Sequence, residues 1–309
     1  MLMQLVLLLV GFVLLVKGAD WFVDGAASIA KKLGVSQLII GLTIVAMGTS
    51  LPEAAVSITS ALGGNAGISI GNAVGSNIMN ILLILGITAA IVNVKIQRST
   101  FRYEIPFMVG ITVLLMVLGL TGGALGRAAG LVFWALFIAF FVYLWFIAKH
   151  GGPQEEGEAK DMPVWQCILA MLLGGVMVVK GSDFVVSGAT GIARAFGMSE
   201  RFIGLTIVAF GTSLPELVTA VTAAKKGNVD IAIGNIVGSN IFNILFVVGT
   251  TALICPIPFE RKFAVDTAVA VFAGVLLWAG TAKHKELRRP CGILMLLSYA
   301  VYFAYLCLA

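Results

Sequence analysis

The chain is 309 residues long, 60% hydrophobic and only 11% charged, with a formal net charge of +5. A mean hydropathy of +1.04 excludes an ordinary soluble domain or a disordered chain and leaves a polytopic membrane protein. The positive charge needs no nucleic-acid partner, because basic residues of membrane proteins collect in cytoplasmic loops.

A helix needs about 20 apolar residues to cross a bilayer. Ten stretches are candidates: 3–30, 37–62, 67–92, 104–120, 125–147, 164–193, 200–224, 229–254, 263–281 and 290–308. Their apolar runs are continuous rather than alternating, which predicts an all-α polytopic fold and not a β-barrel.

The first span has no basic segment ahead of it, so it reads as a membrane helix rather than a signal peptide. It carries Lys17 and Asp20, read as a local ion pair. The second span contains GLTIVAMGTSLPE at 41–53, and the third contains GNAVGSNIMN at 71–80. Glu104 opens the fourth and reads as interfacial, as does Asp266 in the ninth. Residues 149–163, KHGGPQEEGEAKDMP, are the one clearly soluble, charge-mixed stretch and predict a flexible cytoplasmic linker. They lack the ligand spacing of a calcium loop. The sixth span repeats the Lys–Asp spacing at Lys180 and Asp183, whereas Asp24 has only Ser187 as its counterpart. The seventh contains GLTIVAFGTSLPE at 204–216, and the eighth contains GNIVGSNIFN at 234–243. Cys167, Cys255, Cys291 and Cys307 lack metal-type spacing and read as small apolar residues.

The chain is therefore a duplication. Residues 11–86 match 174–249 at more than half of the positions without a gap. Five spans separate each motif from its copy, and an odd number turns the second copy over in the membrane. The prediction is ten transmembrane helices as two inverted five-helix repeats: 1–148, a linker at 149–163, and 164–309. Inverted repeats are characteristic of secondary transporters with an ion site at the midplane. Basic residues in the loops around Lys31, Lys95, Lys149, Lys225 and Lys283 outnumber those at Arg127, Arg194, Arg201 and Arg261. That imbalance predicts both termini outside the cytoplasm of a cell-membrane protein.

The motifs have a shared chemistry. Pro52 and Pro215 lack an N–H and collide with the carbonyls of Gly48 and Gly211, so each helix bends and nearby carbonyls turn free. Helical spacing brings Thr49, Ser50 and Ala46 near the face of Glu53, and Thr212, Ser213 and Ala209 near that of Glu216. In the second motif Asn72, Ser76 and Asn80 form one stripe, as do Asn235, Ser239 and Asn243, while Asn77 and Asn240 turn away and read as structural. Two carboxylates match the charge of one divalent cation or two monovalent ones, and oxygen donors suit hard cations such as Ca2+ and Na+. A buried carboxylate without a partner is expensive, which marks Glu53 and Glu216 as functional.

These motifs, in this order and inverted, resemble the alpha repeats of the cation/calcium exchanger superfamily, specifically its sodium/calcium exchanger branch. The resemblance implies a secondary antiporter that exchanges Ca2+ for Na+ by alternating access, with lipid as its surroundings, no cofactor, and function as a monomer. It carries the family's ion ligands onto Glu53, Ser50, Thr49, Ser76, Asn80 and the Ala46 carbonyl, and onto Glu216, Ser213, Thr212, Ser239, Asn243 and the Ala209 carbonyl. Some members have Asp where Asn243 stands, so the Asn argues against potassium dependence. The family also implies that the long first and sixth spans slide across a four-helix core. A Ca2+/H+ or other divalent antiporter is the alternative, a cation channel or a membrane scaffold lies further off, and no nucleophile–base pair or phosphate loop suggests an enzyme.

Overall fold

The computed structural model describes residues 2–150, 159–198, 207 and 209–308. Among them the long helices are α1 (Leu2–Leu33), α2 (Leu51–Leu62), α3 (Gly67–Ile78), α4 (Ile105–Gly122), α5 (Arg127–His150), α6 (Val164–Ala195), α7 (Leu214–Lys225), α8 (Val229–Phe242), α9 (Arg261–Ala282) and α10 (Arg289–Leu308). Among the described residues, eight helices are long and apolar enough to cross a membrane, and the bent pair Gln37–Thr49 and Leu51–Leu62 makes a ninth. The protein is thus a multi-pass, nearly all-helical membrane protein. Of the expected span at 200–224, Ala209–Thr212 and α7 are described, while residues 200–206 and 208 lie outside the described residues. Residues 151–158 of the expected linker also lie outside them, and its first two residues, Lys149 and His150, belong to α5.

Two spans form the centre. The most apolar window of Val229–Ile254 is 94% buried and that of Gly67–Ile91 72%, whereas those of α1 and α5 are each 22% buried. The polar motifs therefore sit at the axis of the molecule. The outer helices present Leu5, Phe12, Leu131, Trp165 and Leu297 outward, the apolar exterior expected of a membrane protein.

α1 and α6, 32 residues each, run antiparallel along one another. A Cβ added at Gly11 would meet the Gly181 carbonyl at 2.8 Å, and one at Gly18 would meet the Gly174 carbonyl at 2.8 Å. Only glycine allows the backbones so close, as in other membrane helix pairs. Two short antiparallel pairings tie the halves together elsewhere: β1 (Val94–Lys95) with β4 (Glu286–Leu287), and β2 (Ala124–Leu125) with β3 (Ile257–Pro258). Under the offset of the duplication, β1 corresponds to β3, and β2 to β4 within one residue. Each pairing therefore joins one repeat to the other, and the two are reciprocal.

The charged groups outside the motifs depart from the expectations. Lys180 and Asp183 do pair, at 3.2 Å on the surface. Asp20 instead meets Lys226 at 3.2 Å, because helix packing brings the end of α7 against α1. Asp24, which lacks a repeat counterpart, is the hub: Lys226 lies 2.8 Å and Lys160 2.7 Å from its carboxylate. Glu104, in the first turns of the span Thr100–Gly122, is buried and accepts the Tyr143 hydroxyl. Asp266 is half-buried and accepts the Tyr302 hydroxyl at 2.9 Å.

Candidate functional site

Each GTSLPE segment breaks its helix at the serine. Ser50 has φ −88° and ψ 7°, Ser213 has φ −93° and ψ 3°, and α2 and α7 start at the next residue. Pro52 and Pro215 fall in the first turn, where a missing N–H costs no hydrogen bond. The axis turns by 49° at the first break. The break places Glu53 and Glu216 in the first turn of their helices, where the aligned peptide dipoles favour a negative group. Both carboxylates are fully buried.

The second motif closes the site from the other side. α3 passes into a π-helical segment at Met79–Leu85, and α8 does so at Asn243–Val248. Wide turns of this kind recur at functional sites because they rotate side chains off the regular helical stripe. They begin beside Asn80 and at Asn243, both fully buried.

The contacts then cross between repeats. Ser50 donates to Glu216 Oε1 at 2.9 Å, and Thr49 donates to Asn235 Oδ1 at 3.0 Å. The Ser76 and Ser213 hydroxyls lie 3.3 Å apart, and Ser239 donates to the Ala46 carbonyl at 3.3 Å. Helix entry, motif order and duplication thus converge on one spot.

Oxygen atoms at that spot have spare acceptor capacity. Among the described residues, both Glu53 oxygens, Glu216 Oε2, Asn80 Oδ1 and Asn243 Oδ1 are buried without a hydrogen-bond donor. A buried acceptor left empty costs about 1–3 kcal/mol, and more when charged. Four side chains of the two motifs thus carry five such atoms, an all-oxygen set of the kind that suits a hard cation. No cluster of three or more His, Cys, Asp or Glu that could hold a metal occurs among the described residues. The negative charge of the site therefore comes from its two carboxylates.

The residues singled out from the sequence do gather here, with differences of detail. Glu53, Ser50, Thr49, Ala46, Ser76, Asn80, Glu216, Ser213, Ser239 and Asn243 are all buried around the crossing. Thr212 and Ala209 lie on the short helix Ala209–Thr212 leading to the second break. Asn72 and Asn235 serve the helices instead: Asn72 donates to the Glu53 carbonyl at 3.1 Å and to Ser57 at 3.0 Å, and the Asn235 oxygen takes the Thr49 hydroxyl. Asn77 and Asn240 do not turn away. They bond directly to Asn243 and Asn80, each across to the other repeat. Their one sequence signal was recurrence in both copies.

The family model described as "Sodium/calcium exchanger protein" matches residues 3–146 and 167–308. The sodium/calcium exchanger MaX1 of Methanosarcina acetivorans is 33% identical, with 97% of each chain covered. The inner membrane protein YrbG of Escherichia coli is 35% identical over 99% of this chain and 97% of its own. A solved structure of the sodium-calcium exchanger NCX_Mj, soaked with Na+ and Sr2+, superposes with a TM-score of 0.86 at 36% identity, with 98% of each chain covered.

Proposed function

This chain belongs to the sodium/calcium exchanger protein family, and on that premise we propose that it is a secondary antiporter exchanging Ca2+ for Na+ by alternating access. The observation that carries the reading is the crossing of Ser50 and Glu216 beside a second fully buried carboxylate. Two carboxylates balance one Ca2+, and the same oxygens serve Na+ when Ca2+ leaves, so the ions compete for one place. The ligands are Glu53, Thr49, Ser50, Ser76, Asn80 and the Ala46 carbonyl with Glu216, Thr212, Ser213, Ser239, Asn243 and the Ala209 carbonyl. The protein needs no cofactor, since charge compensation and not covalent chemistry does the work.

The architecture we propose is ten spans in two inverted halves, 1–148 and 164–309, joined by the linker 149–163. The reciprocal pairings β1–β4 and β2–β3 support it. α1 and α6, locked together by glycine contacts, move as one body across the buried centre. The protein acts as a monomer in the cell membrane with both termini outside, as the basic loops suggest. Reconstituted vesicles loaded with Na+ test this: Ca2+ uptake should follow the outward Na+ gradient. Uptake that ignores Na+ and follows a pH gradient would move the chain to a proton-coupled exchange.

A further inference from the structure

Asn77 and Asn240 meet face to face where the two repeats cross. Asn77 Nδ2 donates to the Asn240 carbonyl at 3.1 Å, and Asn240 Nδ2 donates to the Asn77 carbonyl at 3.2 Å. The free end of each amide then reaches one further asparagine. Asn243 Nδ2 donates to Asn77 Oδ1 at 3.1 Å, and Asn80 Nδ2 donates to Asn240 Oδ1 at 2.9 Å. All four side chains are at least 98% buried.

The polarity of this network follows from two atoms that have no choice. A backbone carbonyl only accepts, so the nitrogen of Asn77 must face the Asn240 carbonyl and its oxygen must face Asn243. An oxygen placed there accepts, so Asn243 must turn its nitrogen toward Asn77 and its own oxygen away. The same chain of donors runs from Asn240 to Asn80. Consistent with this, Asn80 Oδ1 and Asn243 Oδ1 are the ends left without partners. A free asparagine presents nitrogen or oxygen with similar ease, and a nitrogen facing a cation repels it.

We propose that Asn77 and Asn240 are positioning residues that fix the amide orientation of Asn243 and Asn80, so that both present oxygen to the transported cation. The inference rests on the exchanger reading above and adds to it two residues that need not touch the ion. It also explains the cross-repeat arrangement: Asn77 of the first half orients the ligand of the second, and Asn240 does the converse. Partners behind metal ligands are typically worth about 10–100-fold in affinity.

The test is Na+-driven Ca2+ uptake by vesicles containing the full chain as wild type, Asn77→Ala, Asn243→Asp, and the double variant. For Asn77→Ala we expect the KM for Ca2+ to rise about tenfold or more, with kcat changed far less. A carboxylate has oxygen at both ends and cannot present the wrong one. Asn77→Ala also removes the one oxygen that faces the new carboxylate, so adding it to Asn243→Asp should leave KM no more than about twofold above that of Asn243→Asp alone. A purely structural role would instead multiply the two effects, and that result overturns the proposal, as does an unchanged KM in Asn77→Ala. The pair Asn240→Ala and Asn80→Asp repeats the cycle through the other half if Asn77→Ala does not fold. If neither Ala variant folds, the residues serve the fold and the proposal falls. A wild type without Na+-driven uptake would defeat the exchanger reading itself, which is a separate outcome.

Discussion

Ser50 and Glu216, from opposite copies of one duplicated motif, lie 2.9 Å apart, with the hydroxyl donating to the buried carboxylate. Neither copy of the motif alone holds both groups, so the site exists only where the repeats cross. Losing that hydroxyl removes a hydrogen bond to a charged group, worth about 1.5–3 kcal/mol. For Ser50→Ala we expect the KM for Ca2+ to rise about tenfold or more, measured as Na+-driven uptake. A change below twofold would remove Ser50 from the ion-binding set.

The carboxylates carry the charge balance. Glu53→Gln or Glu216→Gln leaves a divalent ion with one compensating charge in a buried site, where an uncompensated charge costs several kcal/mol. We expect exchange to fall at least about a hundredfold while the variants elute and melt as folded proteins. Near-normal transport by either would show that the two carboxylates are not both required.

The glycine seam between α1 and α6 makes a stability test with an internal control. A Cβ at Gly18 would meet the Gly174 carbonyl at 2.8 Å and the Val178 nitrogen at 2.9 Å, both backbone atoms that cannot swing aside. At Gly175 the nearest atom is a Phe22 ring carbon at 3.8 Å. Gly18→Ala should cost about 1–3 kcal/mol, visible as a lower melting temperature in detergent. Gly175→Ala should melt close to the parent protein.

The linker contacts have a pH signature. Asp161 is exposed, and Lys32 beside it, 2.6 Å away, holds its carboxyl below the usual range. Lys160 is held above its usual range by its hydrogen bond to Asp24. A lowered acid keeps its contribution above its unfolded pKa and loses it as pH falls through the folded value. A raised base keeps its contribution below its unfolded pKa and loses it as pH climbs through the folded value. The docking of 159–163 should therefore be flat between about pH 5 and 9 and weaken outside that window. A distance between spin labels at Ala159 and Gly34 measures it, and a transition near neutrality would contradict the assignment.

Much of this was legible in the sequence, and for identifiable reasons. Span positions follow from apolar run length, and the breaks at Ser50 and Ser213 follow from proline sterics. What escaped was tertiary. Local spacing pairs Asp20 with Lys17, three residues away, yet packing delivers Lys226 from more than 200 residues along the chain. Helical spacing sets Asn77 and Asn240 off the polar stripe, and the partners that hold them come from the other repeat, about 160 residues along the chain. The hydrogen bond from Tyr143 to Glu104, 39 residues apart, likewise leaves no local mark in the sequence.

The most direct measurement is equilibrium Ca2+ binding to the purified protein, titrated against Na+, for the wild type and for Glu53→Gln and Glu216→Gln. We expect Na+ to displace Ca2+ competitively from the wild type, and both variants to lose high-affinity Ca2+ binding. Ca2+ that stays bound in saturating Na+, or that binds either variant as tightly as the wild type, would contradict one site shared by both acids and both ions.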